Sequence, residues 1–200
     1  MRKFVVCLFT ALGLTSAASA DTTLFFDDFE SSAQGLNTTP SNWALISGTV
    51  DVLGGGVFGG FCSNGTNCVD LDGSSNAAGV INSLATFDLD AQTTYTLSFD
   101  YTNNGNGTNT LNWGLATLSE TLVVTGPSNP YASASATFTG QSTLNAAIIF
   151  SHEGADNQGV IIDNVRLTAS VAPVPLPAAG LLLLGGLGGL VALRRKRAAA

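Results

Sequence analysis

The run Tyr95-Thr96-Leu97-Ser98-Phe99-Asp100-Tyr101 alternates strictly between apolar and polar residues. An extended chain therefore puts Tyr95, Leu97, Phe99 and Tyr101 on one face, the pattern of a half-buried strand. The same period of two recurs. Residues 110–118 place Leu111, Trp113 and Leu115 together, 132–139 alternate with small side chains, and 146–150 and 160–167 are apolar runs rich in Ile and Val. Turn-forming stretches separate these runs, as in Asn103-Asn104-Gly105-Asn106-Gly107. No window of about 11 residues between 21 and 172 shows the i, i+3, i+4, i+7 spacing of an amphipathic helix. Many short strands without a fixed repeat predict one all-β domain, a β-sandwich over residues 21–169, in a length of about 150 residues that suffices for a sizeable core.

Charge narrows the partners. Between residues 21 and 193 one arginine, Arg166, stands against fourteen acids, a net charge of −13, and there is no lysine. Nucleic acid is excluded, because phosphates are gripped by Lys and Arg spread over the contact surface. A P-loop has no lysine to use. With 45% hydrophobic residues the chain is too apolar for a disordered polyanion.

The two ends read as addresses. Arg2 and Lys3, an apolar stretch over 4–14 and Ala18-Ser19-Ala20 form a secretory signal, 1–20, cleaved between Ala20 and Asp21 after passage through the Sec export machinery. The stretch is shorter than the about 20 residues of a membrane anchor, which favours cleavage over retention. At the other end, residues 170–175 contain Pro173 and Pro175 and read as an extended linker. Residues 176–193 carry no charge and are long enough for a transmembrane helix. Arg194-Arg195-Lys196-Arg197 follows, a basic tail that stays cytoplasmic and leaves the middle of the chain outside.

Val174-Pro175-Leu176-Pro177-Ala178, followed by the apolar stretch and the basic tail, resembles the VPLPA-type PEP-CTERM sorting signal of Gram-negative bacteria. The resemblance covers about residues 171–200. It implies a membrane-embedded exosortase as processing partner, anchoring in the inner membrane by the C-terminal helix, then sorting to the cell surface or beyond, in association with extracellular polysaccharide. The same tail is attached to many unrelated ectodomains, so it leaves the domain itself open. An ordinary tail anchor without processing is the alternative.

Three further segments, in order, resemble the galactose-binding-like jelly rolls, the fold of many carbohydrate-binding modules. They are Phe26-Asp27-Asp28-Phe29-Glu30 with Trp43 and Gly48-Thr49-Val50-Asp51-Val52; Cys68-Val69-Asp70-Leu71-Asp72-Gly73 with the alternating strand 95–100; and Gly159-Val160-Ile161-Ile162-Asp163-Asn164-Val165-Arg166-Leu167. They span nearly all of 24–168. The scarcity of Trp and Tyr is a departure from such modules. The resemblance implies a structural calcium ion between the first and last strands, held by Glu30 and Asp163 with Asp28 and Asp51 as helpers. Calcium takes six to eight oxygen ligands, and a divalent cation relieves the repulsion of so many acids. The other reading makes these acids a solvated surface. Asp70-Leu71-Asp72-Gly73 starts like an EF-hand loop, but its twelfth position is Ile81 rather than Glu.

Cys7 leaves with the signal, so Cys62 and Cys68 remain, an even count in an oxidising compartment, and predict a disulfide. A zinc site fails because His152 is the only other soft ligand. Trp113 lies in phase with Leu111 and Leu115, and Trp43 with Leu45, so both read as core. Tyr101 and Tyr131, at strand ends or turns, are the exposed aromatic candidates for stacking on a sugar ring. Asn103 and Asn104 are candidate hydrogen-bonding neighbours whose other role is turn formation. Catalysis has little support: His152 reads as a surface-loop residue, no Gly-x-Ser-x-Gly elbow occurs, and nothing pairs Glu30, Glu120 or Glu153.

The sequence thus describes an exported, surface-sorted, non-catalytic protein that associates with carbohydrate. The alternative is a structural matrix or adhesion protein without a sugar site, and a secreted hydrolase ranks third. An exposed aromatic on a sheet face favours sugar binding; paired buried carboxylates in a pocket favour a hydrolase. Intact mass of the exported protein is expected to start at Asp21 and to lie two hydrogens below the reduced chain. A full-length cytosolic product with both thiols free would overturn the export reading.

Overall fold

The computed structural model describes residues 21–58, 60–62, 67–105, 107–126, 128–154 and 156–171, together with Gly186, Gly188 and Arg194. The expected signal 1–20, the sorting motif 174–178 and nearly all of the expected span 176–193 and its tail lie outside the described residues. Among the described residues, no helix is long and apolar enough to cross a membrane. Residues Ala20–Ala172 form one compact unit.

Strands build this unit: β1 (Thr22–Asp27), β2 (Trp43–Ser47), β3 (Asp51–Gly54), β4 (Asn67–Asp70), β5 (Asp72–Gly73), β6 (Ala77–Ala78), β7 (Val80–Ser83) and β8 (Phe87–Leu89). They continue as β9 (Thr93–Asn103), β10 (Thr108–Leu115), β11 (Leu118–Thr125), β12 (Ser128–Thr139), β13 (Thr143–Ala146), β14 (Ile148–Glu153) and β15 (Val160–Val171). A six-stranded sheet has the order β12-β9-β15-β4-β3, with β1 also on β15; a five-stranded sheet has the order β11-β10-β14-β7-β2. Two ribbons, β13-β8 and β5-β6, complete the fold. The edge of β15 opposite β9 is divided between β4, at Ile161 and Ile162, and β1, from Val165 to Ala169.

The two sheets face one another across a core set by the period of two. Tyr95, Leu97 and Phe99 of β9 and Leu111, Trp113 and Leu115 of β10 are all buried in one cluster. Phe99 meets Trp113 edge-on (4.9 Å, 83°) and Phe150 edge-on (5.0 Å, 86°), the geometry that aromatic quadrupoles prefer. Trp43 packs 5.6 Å from Phe150, and its indole N–H donates to Asp27 Oδ2 at 2.8 Å. Asp27 is itself buried, and its Oδ1 accepts the Phe29 amide at 2.9 Å, so this carboxylate is compensated.

A bulge in β15 settles which side chains point out. Its register against β9 shifts between Asp163 and Arg166, and Asn164 has φ 51°. Val160 and Ile162 before the bulge and Val165 and Leu167 after it all enter the main core. The extra residue restores inward phase that strict alternation would have lost. On the outer face, Leu53, Cys68 and Ile161 form a second small core with Val57, Phe61, Cys62 and Tyr131 packed on it. A disulfide joins Cys62 to Cys68, with their Cα atoms 5.3 Å apart. So small a ring restricts the unfolded chain by about 2 kcal/mol, which pins a loop to the sheet rather than holding up the fold.

Three boundaries and one placement differ from those read in the sequence. β10 stops at Leu115, because Ala116 turns into the left-handed region (φ 53°) and the chain reverses into β11. The run 146–150 is split between β13 and β14, after Asn145 at φ 56°. β15 continues through Ser170 and Val171, into the expected linker, because Thr94 and Thr93 of β9 still offer backbone partners there. His152 is not a surface-loop residue: it lies on β14 opposite Leu111 and is buried.

Phe99→Ala is expected to cost about 3–5 kcal/mol in urea unfolding, the usual range for deleting a core aromatic. A loss below about 1 kcal/mol would mean that the sheets are not held at this ring.

Candidate site on the outer face of the six-stranded sheet

Alternation that sends Val52 and Val69 into the main core sends Asp51 and Asp70 to the opposite face, where the two are paired across β3 and β4. Asp70 is opposite Ile161, which is opposite Thr102. A cleft of about 380 Å³ opens over this row, lined by Asp51, Asp70, Phe58, Phe61, Asn104 and Asn157, with Leu53 and Ser74 at its margin.

Phe58 is 61% exposed, at φ 48°, a conformation that bulky residues enter at a cost. Phe61 leans on the second core and is half-buried. Asp51 is held firmly: Oδ1 accepts the amides of Asn37 (2.7 Å) and Ser74 (3.1 Å), and Oδ2 accepts the Ser74 hydroxyl at 2.5 Å. Asp70 Oδ1 accepts the Asp72 amide at 3.0 Å, and Oδ2 accepts the Asn104 side-chain amide. Burial pushes the Asp70 carboxyl up to about 7; these hydrogen bonds oppose the shift, and the charges of Asp51 and Asp72 add to it. The cleft therefore holds Asp51, fixed by its donors, beside the Asp70 carboxyl, whose burial keeps its proton up to about pH 7.

Two further buried polar groups are Asp72 and His152. Asp72 Oδ2 accepts the Asp156 amide at 3.0 Å, whereas Asp72 Oδ1 and both ring nitrogens of His152 are buried without a hydrogen-bond partner. Burial lowers the His152 pKa, against the pull of Asp72, Asp156 and Glu153. The imidazole is thus held neutral.

Of the residues singled out in the sequence, Asn104 lines this cleft and Tyr131 packs beside it on the second core. The Tyr131 hydroxyl is buried without a partner, and its pKa is raised by burial and by Asp163, Asp100 and Asp70. Tyr101 is half-buried, its ring 6.3 Å from Phe99. Asn103 is buried and structural: its Nδ2 donates to the carbonyls of Gly105, Gly107 and Gly126, and its Oδ1 accepts from Asn109 at 2.5 Å. Phe58, Phe61 and Asp70 were missed. The signal for the two rings was present, since both stand in the glycine-rich run 54–61, where no strand partner calls for an aromatic.

The expected calcium ligands make the following contacts. Glu30 Oε1 accepts the Asn67 amide at 2.9 Å, Asp28 Oδ1 accepts the Glu30 amide at 3.2 Å, and Asp163 Oδ1 accepts the Asn164 amide at 2.7 Å. Asp51 belongs to the cleft. Asn67 Nδ2 also donates to the carbonyls of Phe29 (3.1 Å) and Ser32 (2.8 Å). Its orientation is fixed by Gln34, whose Oε1 accepts the Gly56 amide (3.0 Å) and whose Nε2 donates to Asn67 Oδ1 (2.8 Å). Asn67 thus presents N–H donors where a cation would draw carbonyl and carboxylate oxygens. Among the described residues, no three His, Cys, Asp or Glu are grouped to hold a metal ion.

No protein-family model matches the sequence, and no curated protein matches it. Solved structures share its fold. An arabinose-bound α-L-arabinofuranosidase, MgGH51, superposes with a TM-score of 0.53 at 14% identity, over 71% of this chain and 25% of the enzyme. The CBM22-1–GH10 modules of the Clostridium thermocellum xylanase 10B, complexed with xylohexaose, superpose with a TM-score of 0.50 at 19% identity, over 74% of this chain and 29% of that one. The chain spans only a quarter to three tenths of those proteins, and at these identities the likeness is one of fold.

Asp70 makes stability depend on pH with a definite sign. The folded protein keeps its proton up to about pH 7, whereas the unfolded chain releases it near 3.8. The resulting stabilisation is complete below the unfolded value and is lost as pH rises to about 7, by roughly a few kcal/mol. His152 acts oppositely, its neutral form costing stability as pH falls through the ordinary histidine range. Comparing Asp70→Asn with the parent isolates the carboxyl. The parent is expected to lose stability relative to the variant between pH 4.5 and 8; a flat difference in urea midpoints would show that the carboxyl is already ionised.

Proposed function

We propose that residues 21–171 form a carbohydrate-binding jelly roll that seats a sugar against Phe58 and Phe61, with Asp51, Asp70, Asn104 and Asn157 meeting its hydroxyls. The exposed Phe58 ring beside that polar floor carries the reading, because sugar recognition combines an apolar ring face with directional hydrogen bonds. The aromatics of the five-stranded sheet, Trp43, Trp113 and Phe150, are all turned into the core. The two solved structures of like fold were determined with arabinose and with xylohexaose bound, which agrees with this class of ligand. One cleft of this size binds weakly, and display of many copies multiplies the effect.

The leader 1–20 and the VPLPA-like tail support export through the Sec machinery, processing by an exosortase, and a working place at the cell surface among extracellular polysaccharide. The protein in this reading is non-catalytic. A hydrolase is the second reading, favoured by one observation: Asp51 and Asp70 are paired buried carboxyls in one cleft, and one of them has a raised pKa. Asp51 speaks against it, since both of its oxygens are engaged by Asn37 and Ser74.

Affinity electrophoresis of the full-length protein in gels containing xylan, arabinan or galactan tests both readings. Retardation is expected in at least one gel. Phe58→Ala should weaken it about tenfold, the equivalent of the roughly 1.4 kcal/mol that one stacking ring supplies. Free migration of the parent in every gel would remove the carbohydrate reading. New reducing ends that disappear in Asp70→Asn would establish the hydrolase instead.

A further inference from the structure

The same outer face carries a second cleft, of about 350 Å³, lined by Phe26, Ser98, Asp100, Ser133, Asn164 and Arg166. The β15 bulge turns Arg166 outward, opposite Ser98 on β9 and opposite Phe26 on β1. Arg166 is the sole arginine or lysine between residues 21 and 193. Its guanidinium lies 4.4 Å over the Phe26 ring, and Nη1 donates to Thr23 Oγ1 at 3.2 Å. Among the described residues, an aromatic face and a hydroxyl position it. The acid of the cleft, Asp100, is already engaged: its oxygens accept from Ser133 Oγ (2.6 Å) and Asn164 Nδ2 (3.0 Å). Phe26 is 44% exposed.

A guanidinium has five N–H donors in a flat fork that matches a carboxylate bidentately. Ser98, Ser133 and Asn164 line the same cleft. From Thr102, in the Asp70 row, to Ser98, in the Arg166 row, the distance along β9 is about 14 Å, within reach of one oligosaccharide. We infer that the Arg166 cleft is a subsite for a carboxylate-bearing sugar residue, a hexuronate, on a glycan whose other residues occupy the Phe58 cleft. This inference rests on the carbohydrate reading and adds the acidic class of ligand to it.

A domain of net charge −13 repels a polyuronate at long range, while the Arg166 contact acts only at close quarters. Affinity for an acidic oligomer should therefore rise between 10 and 150 mM salt, as the Debye length falls from about 30 to about 8 Å. That sign is opposite to the behaviour of a cationic patch.

Calorimetry on the full-length protein with oligogalacturonate and with its methyl ester isolates the carboxylate, because the two share one backbone. The acid is expected to bind at least tenfold more tightly than the ester at 150 mM salt. Arg166→Gln should abolish that preference, bringing acid binding down to the level of the ester; Phe58→Ala should weaken both. Arg166→Lys, which keeps the charge but loses the fork, should retain only part of the preference, and thermal melts confirm that each variant is folded. Equal binding of acid and ester by the parent, or an undiminished preference in Arg166→Gln, overturns the inference. Should the parent bind neutral xylan but neither galacturonate ligand, the uronate subsite alone falls; absence of all glycan binding removes the carbohydrate reading with it.

Discussion

Phe99 ties the molecule together. It projects from β9, the long strand that pairs with both β12 and β15, and meets Trp113 and Phe150 of the opposite sheet edge-on. Around that contact each sheet needs its apolar residues in phase, and the β15 bulge keeps them so on both of its sides. The outward direction of Asp163 and Arg166 is a consequence of the same requirement. The polar outer face thus follows from how the core is satisfied.

That outer face departs from the rules the core obeys. It carries buried acids facing one another, Asp51 opposite Asp70. Burying a carboxyl raises its proton affinity unless donors compensate, and at Asp70 desolvation prevails over its two hydrogen bonds. Perturbed groups of this kind concentrate where a protein binds or reacts. An exposed ring at a costly φ, Phe58, stands over the same cleft. A chain selected for stability alone gains nothing from that combination, which is why the face is read as the working surface.

Much of the architecture was legible beforehand. The alternation over 95–101, the core placement of Trp43 and Trp113, the two-sheet class and the pairing of Cys62 with Cys68 all follow from local pattern or from compartment. Strand ends were less so, because a strand stops where its neighbour ceases to offer partners, as at Val171 against Thr93, and that is a property of the pair. The candidate site was read least well. Tyr101 looked exposed because it ends an alternating run, yet the partner strands leave it half-buried beside Phe99. The order of motifs places Glu30 and Asp163 together, and it does not show that Asn67, distant in sequence from both, donates its amide to Glu30 and its side-chain N–H groups to the carbonyls of Phe29 and Ser32.

The sequence by itself determined the sandwich class, the acidic character that excludes nucleic acid, and the expectation of two terminal addresses, because each is a property of residue type or period along one stretch of chain. Only the tertiary structure decided that a glycine-rich loop lays Phe58 and Phe61 beside Asp51 and Asp70, and that the lone basic residue of the domain lies on Phe26. Those groups are brought together by cross-strand register and by a one-residue bulge, and neither distance along the chain nor the period of its side chains contains that information.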